Sequence, residues 1–522
     1  MVERAVRPMV EAIVANAPSG WTHAVLRAGA GRGGTSVTGG YAGPGDQGNA
    51  VVPHLRVELT ALAQTLREDR GWDPVSLEIR CRASGEYRLV AFDGSITWVT
   101  GTGSGFQVVL DPGYRLPQPG LRQEPGTAPP AGDPELAVAR FRAYLERRAA
   151  ILGQPEELPP PATSAALDEA ERRLGRRLPA DLRALYAIAD GDGDDEGDDY
   201  ENRYLFQGNA WLSLESLVAE HTGWSQRPWY GWDLEWDAVV FDTSPTDTVR
   251  RCGSHPGWLR FATGEDGNFL AVDTAPARHG RPGQLIRTGR DYDDGPAYVA
   301  DSVTSLLGHY LDLLDQGAYE THGDDISLLE PPARDPAPRK IIGGIPDEVP
   351  PTLQAIHING ATGPVDLAPL TAARNLRRLH LNRSATADLT PVRELAVESL
   401  RVALADCDTT PLGGHPHLTS LDLTTTTGPA DLTPLRTVPR LRGLDLSGAD
   451  VPDPAFLGDL TELRYLSLTG SHWTALLNEG KAPPTLAAAR LADAGASLDD
   501  ALAWAARLGL TTVGPLRVTG HR

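Results

Sequence analysis

The stretch LRRLHL at residues 376–381 decides the fold of the C-terminal part of this chain. Its spacing of apolar residues, L-x-x-L-x-L, recurs along the sequence, and the central apolar positions are Ile356, Leu379, Leu400, Leu421, Leu444 and Leu466. A second motif separates these copies: DLAPL at 366–370, DLTPV at 388–392 and DLTPL at 431–435. Because the copies follow one another every 21 to 23 residues, each is expected to add one short strand and one return segment to a stack.

This repeat resembles the leucine-rich repeats of the short bacterial, internalin-like class. The resemblance implies a solenoid over residues 351–475, and the amphipathic stretch after it predicts a helical cap over 476–522. The side chains between the leucines are expected to face outward in two rows. The first row is His357, His380, Arg401, Asp422, Asp445 and Ser467, and the second is Ala355, Arg378, Ser399, Ser420, Gly443 and Tyr465.

These rows predict a protein-binding face, because binding is the common use of such repeats. Its candidate contacts are His357, His380, Arg401, Asp422 and Asp445. The alternative is that they are ordinary solvated positions. His357 and His380 are expected to be stacked neighbours and could bind a metal, but the pattern supplies no third ligand. The sequence therefore predicts no metal and no cofactor.

The charge of the chain is unevenly distributed. Its 522 residues carry a net charge of −21, of which −16 lies in residues 133–320 and none in residues 1–115. So acidic a chain is repelled by phosphate groups, which argues against nucleic acid and anionic membranes as partners. There is no run of 18 apolar residues, and the N-terminus reads as an amphipathic helix rather than a signal peptide, so the predicted location is the cytoplasm.

Two Pro-rich segments, 116–132 and 321–350, predict linkers. They divide the chain into an N-terminal α+β domain (1–115), a middle α+β domain (133–320) and the C-terminal repeat region with its cap. The expected fold class is therefore a multidomain α/β protein. Three cysteines, far apart in the sequence, indicate neither a disulfide framework nor a zinc cluster.

Motifs in the middle domain follow one another in a recognisable order. They are LPADLRALY (178–186), WLSLESL (211–217), FATGEDGNFLAVD (261–273), GQLI (283–286) and VADS (299–302). This order resembles the SUKH superfamily, the Smi/Knr-like domains of bacterial immunity proteins. The resemblance implies a compact α+β domain without catalytic residues that binds and neutralises a cognate toxin, such as a basic nuclease or deaminase domain.

An acidic segment in the middle domain is compatible with a basic partner. Residues 190–201 (DGDGDDEGDDYE) contain eight carboxylates and no base, and such a loop would accelerate association with a basic surface. Tryptophan and tyrosine are favoured anchors of interfaces. The candidate contacts are Asp192, Asp194, Asp195, Glu196, Asp198, Asp199, Trp224, Trp229, Tyr230 and Trp232. The alternatives are a solvated loop and core tryptophans.

Calcium is a second interpretation of the same acidic segment. Its acids occupy positions 1, 3, 5, 7, 9 and 12 of an EF-hand-like loop. Position 6, however, is Asp195, where such a loop needs glycine, and the residues after Glu201 look extended rather than helical. Both observations argue against a calcium site without closing the question.

The N-terminal domain contains the stretch GWDPVSLEIRCRASGEYRLVAFDG (71–94). This stretch resembles the YezG-type antitoxins, which implies a second toxin-neutralising module. Gly29, Gly31 and Gly34 match a dinucleotide-binding spacing, but no helix follows them, so that interpretation is rejected.

Nucleophile-elbow, metalloprotease, phosphate-loop and kinase motifs were sought without a match in this sequence. The sequence therefore predicts a non-catalytic immunity protein that neutralises a bacterial toxin by stoichiometric complex formation. The alternative is a leucine-rich repeat regulatory scaffold that binds a host protein.

Overall fold

A computed structural model describes residues 2–32, 34–43, 50–51, 55–96, 99–102, 104–193, 204–222, 229–231, 234–264, 266–323, 325–330, 338–404, 408–426, 428–511 and 514–522. Within these ranges the helices are α1 Val2–Ala15, α2 Arg56–Arg70, α3 Pro134–Leu152, α4 Ser164–Leu174, α5 Ala180–Tyr186, α6 Leu214–Thr222, α7 Leu234–Ala238, α8 Val303–Asp315, α9 Gly470–Asn478 and α10 Leu498–Arg507. Short 3-10 helices are Pro119–Arg122, Ala368–Ala372, Thr390–Glu394, Thr410–Leu412, Thr433–Thr437 and Pro454–Asp459.

The strands described in the same ranges form four sheets. They are β1 His23–Gly31, β2 Gly34–Ala42, β3 Ala50–Val51, β4 Val75–Arg82, β5 Glu86–Asp93, β6 Val99–Thr102, β7 Gly105–Val109, β8 Ala210–Trp211, β9 Trp258–Thr263, β10 Asn268–Asp273, β11 Gln284–Gly289, β12 Ala297–Ala300, β13 Tyr319–His322, β14 Asp325–Leu328, β15 Lys340–Gly343, β16 Ala355–Asn359, β17 Arg378–Thr386, β18 Ser399–Leu404, β19 Ser420–Thr425, β20 Gly443–Gly448, β21 Tyr465–Leu468, β22 Ala488–Leu491 and β23 Leu516–His521.

The repeats build a parallel ladder. Strands β15 to β22 lie side by side in chain order, and the central residues of the motif pair across them, Leu379 with Leu400 and Leu400 with Leu421. These central side chains are buried because alternate residues of each strand face the interior. The ladder confirms the predicted leucine-rich repeat region, whereas a closed solenoid stays a prediction.

The D-L-x-P motif explains the return segments. In each copy the aspartate side chain accepts the backbone N–H two residues later, as Asp388 does from Thr390 at 2.7 Å and Asp431 from Thr433 at 2.9 Å. A proline then occupies the first turn of a 3-10 helix, where its missing N–H costs nothing and its fixed φ is favourable. The aspartate and the proline of the motif therefore begin each return segment.

The middle domain packs five helices, α3, α4, α5, α6 and α8, around an antiparallel sheet of order β12-β11-β10-β9-β8. Its core is centred on Trp211, whose ring lies 4.9 Å from that of Tyr186 and 5.7 Å from that of Phe141. This mixed α/β arrangement agrees with the predicted fold class.

The N-terminal sheet has the order β23-β5-β4-β1-β2-β3 and packs against α1 and α2. Its edge strand β23 comes from the other end of the chain and pairs antiparallel with β5, Leu516 opposite Ala91 and His521 opposite Glu86. The segment 476–522, predicted to be helical, thus contains β22 and β23 as well as α10. Strand β23 is alternately half-buried and exposed along its length, as expected for an edge strand that covers a sheet on one face.

The N-terminal hairpin β6-β7 extends the repeat sheet. Strand β7 pairs antiparallel with β22, Phe106 opposite Leu491, and β6 continues the sheet beyond it. Gly105 makes this approach possible, because its φ is +149° and a Cβ there would lie 2.0 Å from the carbonyl oxygen of Leu491. The N-terminal and C-terminal modules therefore share a sheet.

The two Pro-rich segments, expected to be spacers, pack against the neighbouring modules where the structure describes them. Gly120 donates its N–H to the carbonyl of Arg251 at 2.9 Å, and the Arg250 guanidinium donates to the carbonyls of Gly120 and Gln123. In the second segment, β14 inserts Ile326 into the core of the middle domain. Proline removes N–H donors but leaves carbonyls that arginine side chains can bind, so a Pro-rich segment can still be fixed.

No helix in the described ranges is both long enough and apolar enough to cross a bilayer.

Candidate functional site

The middle domain packs against the outward face of the repeat sheet. It covers the second of the two rows of side chains that the sequence predicts on that face. Leu234 of α7 packs on Gly443, where an added Cβ would lie 1.7 Å from a Leu234 methyl carbon. Trp229 packs edge-on against Tyr465 with ring centroids 6.4 Å apart. The second row, with Ala355 and Ser399, is buried over its whole length. This row is therefore an internal interface between modules.

Ion pairs also join the middle domain to the repeat sheet. Arg378 of the repeat sheet is 1% exposed and donates from Nη1 to Oδ1 of Asp294 at 2.9 Å, and Lys340 donates to Oδ2 of the same carboxylate at 2.9 Å. Burial by itself would raise the pKa of Asp294, but the hydrogen bonds from Lys340 and Arg378 outweigh it and leave that pKa lowered. The carboxylate of Asp294 is thus held ionised between two cations of the repeat region.

The first row is partly exposed and its charges are largely paired within the chain. Nε of Arg401 lies 2.9 Å from Oδ2 of Asp422, and Nη1 of Arg490 lies 3.2 Å from Oδ2 of Asp445. Arg401 and Asp422 keep about a third of their side chains exposed. They are the members of this row best placed to meet a partner protein.

The two histidines of the row contact each other, as expected from their register. Their ring centroids are 4.9 Å apart, and Nε2 of His380 lies 3.1 Å from Oγ of Ser399. Burial, followed by the nearby Arg401 charge, lowers the pKa of His380 to about 2, so its ring is neutral at physiological pH. His380 is 2% exposed, which corrects its prediction as a partner contact, because its ring lies against that of His357 and beside Ser399.

A metal site was also considered for this histidine pair. In the part of the chain that the structure describes, no three His, Cys, Asp or Glu side chains are grouped so as to hold a metal ion. The pair therefore lacks the third protein ligand that zinc requires.

Two further predicted contacts of the middle domain are buried and need correction. Trp229 is 4% exposed, with its Nε1 donating to Asp237 at 2.9 Å, so it anchors an interface inside the chain. Asp192 is 1% exposed and accepts the backbone N–H of Leu205 at 3.0 Å. Burial raises the pKa of Asp192 to about 7. Asp192 therefore holds the backbone at Leu205. The acidic composition of the segment could not show that this one carboxylate is buried.

The remaining predicted contacts of the middle domain are placed as follows. Tyr230 is half-buried and lines a cleft of about 750 Å³ beside the N-terminal sheet. Asp194, Asp195, Glu196, Asp198, Asp199, Trp224 and Trp232 lie outside the described residues, as does most of the proposed calcium loop. The acidic-loop and calcium interpretations therefore both stay predictions.

Acidic side chains that the structure does describe form an exposed edge on the middle domain. Asp266, Asp291 and Asp293 are exposed at adjoining turns of the antiparallel sheet. The side chain of Asn268 donates to Asp266 at 2.9 Å and to Asp291 at 2.7 Å, which fixes these two carboxylates beside each other. We call Asp266, Asp291 and Asp293 the acidic edge. The sequence did not indicate it, because strands β10 and β11 separate Asp266 from Asp291 and Asp293 along the chain.

Arg27 is another residue whose role the sequence did not indicate. Its Nε lies 3.0 Å from Oε2 of the buried Glu78, while Nη1 donates to the carbonyl of Thr102 and Nη2 to that of Ala496. One guanidinium therefore connects the N-terminal sheet, the β6-β7 hairpin and the C-terminal region. The sequence feature related to this role of Arg27 is Gly101, whose missing Cβ leaves room for the Arg27 side chain.

Residues 161–309 match the SMI1/KNR4 family (SUKH-1), which confirms the resemblance predicted for the middle domain. Similar curated proteins are fungal. They include the "Cell wall biosynthesis/cell cycle regulator smi1" of Schizosaccharomyces pombe, 31% identical over 175 residues (32% of this chain and 34% of that protein), and the "Glucan synthesis regulatory protein" of Neurospora crassa, 27% identical over 191 residues (31% and 35%). A "KNR4/SMI1 homolog" of Yarrowia lipolytica is 37% identical over 87 residues (17% and 12%). The chain thus spans 12% to 35% of the length of these three relatives.

Among solved structures, two internalins of Listeria monocytogenes are similar to part of the chain. Internalin C2 covers 23% of this chain and 52% of its own at 23% identity and a TM-score of 0.20. A second internalin covers 26% and 54% at 20% identity and a TM-score of 0.17. The assignment of the repeat region is based on the parallel strand ladder of β15 to β22.

Proposed function

We propose that this protein is a non-catalytic binding protein of the cytoplasm that neutralises a protein toxin by forming a stoichiometric complex with it. The observation that carries the proposal is the SUKH-1 match over residues 161–309, within a domain of net charge −16. The N-terminal resemblance to YezG-type antitoxins is part of the same proposal. Fungal relatives named as regulators support a binding role rather than a chemical one.

The acidic edge supports a basic partner surface. Two of its three exposed carboxylates, Asp266 and Asp291, are held side by side by Asn268, and fixed charges of one sign accelerate the encounter with a surface of opposite sign. The middle domain already packs on the repeat sheet through Trp229 and Leu234, and Asp294, next to Asp293, binds Lys340 and Arg378 of the repeat region. The acidic edge therefore begins beside this internal interface, and a partner is expected on its exposed carboxylates.

A titration of toxin activity tests this proposal. Full-length protein is added to the toxin domain encoded beside its gene, and inhibition should be complete near one equivalent. The complex should form more slowly at higher salt, and D291N/D293N should lower the association rate further. Inhibition by a small fraction of an equivalent would instead indicate catalysis, and failure to form a complex would refute the proposal.

The second candidate is a regulatory scaffold in which the repeat face holds a host protein. The fungal relatives' names as cell wall or glucan synthesis regulators favour it. The second row is filled by the chain itself, so a host protein would meet Arg401 and Asp422 of the first row. The double variant R401A/D422A distinguishes the candidates, because it should abolish scaffold binding and leave toxin neutralisation intact.

A further inference from the structure

A small basic cavity lies where the first Pro-rich segment meets the repeat sheet. Its volume is about 250 Å³, and five arginines and one glutamate line it: Arg122, Arg251, Arg377, Arg440, Arg442 and Glu398. In a chain of net charge −21, such a concentration of cations in one recess is opposite to the overall trend.

Three of the arginines form ion pairs with carboxylates of the same chain. Oε2 of Glu398 accepts from Nη2 of Arg251 at 2.5 Å, and its Oε1 lies 3.5 Å from Nη1 of Arg377. Arg442 pairs with Glu462 at the rim. The single acidic group inside the cavity is thus shared between two guanidinium groups.

Arg122 and Arg440 are different. Neither guanidinium has a hydrogen bond or an ion pair with any residue that the structure describes, although both face the cavity. Burial, together with the charges of Arg440 and Arg442, lowers the pKa of Arg122, while arginine remains protonated at neutral pH. Arg122 is exposed and Arg440 half-buried, and both line the same recess. Their like charges repel each other there.

The walls of the cavity are fixed in place. Arg251 donates its backbone N–H to Oε1 of Gln123 at 2.7 Å and its Nε to the carbonyl of Val240 at 2.7 Å. Gln123 follows directly on the 3-10 helix Pro119–Arg122, which carries Arg122. The backbone that carries Arg122 is consequently fixed beside Arg251 before any ligand arrives, which reduces the part of the entropic cost of binding that comes from ordering the chain.

We propose that this cavity binds a small phosphate-bearing anion, held by Arg122 and Arg440 with Arg442 and Arg377 beside them. Guanidinium groups present paired donors that match phosphate oxygens, and such charge-assisted bonds are stronger than neutral ones. A volume of about 250 Å³ accommodates a phosphate with a short polar substituent and excludes a drug-sized ligand. This site goes beyond the toxin-binding proposal and does not depend on it.

Calorimetric titration of the full chain with inorganic phosphate and with pyrophosphate tests the proposal, at constant ionic strength maintained with chloride. Saturable binding is expected, weakened roughly tenfold by R440Q or R122Q, since each removes charged hydrogen bonds. Neither residue has a partner to lose in the protein, so both variants should fold normally. R436Q is the matched control, because Arg436 pairs with Asp459 on the surface and lies outside the cavity.

Three outcomes would overturn the assignment. They are no saturable heat with either phosphate probe, an equal loss of affinity in R436Q, which would indicate a general charge effect, and equally tight binding of citrate, which would remove the preference for phosphate. Tighter binding of pyrophosphate than of phosphate supports a ligand with more than one phosphoryl group. Tighter binding of phosphate supports a monoester or the free ion.

Discussion

The side chain of Leu234 fills the space above the α-carbon of Gly443, so that the middle domain rests on the repeat sheet at a position where any larger residue would collide. The other repeats have Ala355, Arg378, Ser399, Ser420 or Tyr465 at this register, and the one glycine of the row lies under Leu234 of α7. At this position the outward face of the repeat sheet is therefore complementary to the middle domain of the same chain.

The G443A variant is expected to loosen this interface. A Cβ only 1.7 Å from Leu234 forces the two elements apart, and overpacking of this kind costs about 1–3 kcal/mol. The loss should appear as a lower midpoint in chemical denaturation and as faster proteolysis between the middle domain and the repeats. G363A is the control, because a Cβ on Gly363 meets no atom within 4 Å, and an equal effect there would contradict the interpretation.

The R27M variant should destabilise the N-terminal and C-terminal regions together. It leaves the buried Glu78 carboxylate, 3% exposed, with Arg80 as its remaining cation, and breaking a buried ion pair costs about 3–5 kcal/mol. Hydrogen exchange should therefore rise in β4 and in α10 alike. R82Q removes the exposed pair with Glu86 and is expected to change stability by less than about 1 kcal/mol.

The buried Asp192 predicts a pH dependence of stability. Its folded pKa is raised to about 7 from an ordinary value of 3.8, so the folded state binds the proton more tightly than the unfolded state. Stability should therefore fall as pH rises from about 4 to about 7 and level off above that. In D192N this decline should be smaller by on the order of 1–3 kcal/mol between pH 5 and pH 8.

The measurement for Asp192 is the free energy of unfolding in urea at several pH values. The exposed D293N variant is the control and should follow the unmodified chain. If D192N keeps the full pH dependence, another group, such as Asp273, whose pKa burial raises to about 6, is responsible.

Removal of residues 516–522 should expose the edge of the N-terminal sheet. Without β23, the backbone groups of β5 along Glu86–Asp93 lose their partners, and unpaired edges promote association. The truncated chain is expected to show concentration-dependent aggregation and increased hydrogen exchange in β5. Full-length V518T, which keeps the backbone, should remain monodisperse if the backbone pairing rather than the side chain is what matters.

The parts of the fold that the sequence revealed are those encoded by local pattern. The period of the leucines predicts the strand ladder. The hydrogen bond from Thr390 to Asp388 shows how a short motif begins a return segment. The burial of Trp229 could not be predicted in this way, because it depends on Tyr465, more than 200 residues away. Likewise Asp192 has the composition of a surface acid, and only its position beneath the backbone of Leu205 makes it a core residue.

The pairing of β23 with β5 also sets an order of events during synthesis. Strand β5 leaves the ribosome more than 400 residues before β23, which at about 5–20 residues per second is an interval of roughly 20–90 s. Throughout that interval the N-terminal sheet has an unfinished edge, because the strand that completes it follows the whole repeat region. Completion of the N-terminal module is therefore a late step of biogenesis, and a ribosome that stalls within the repeats would release a chain whose first domain is still open.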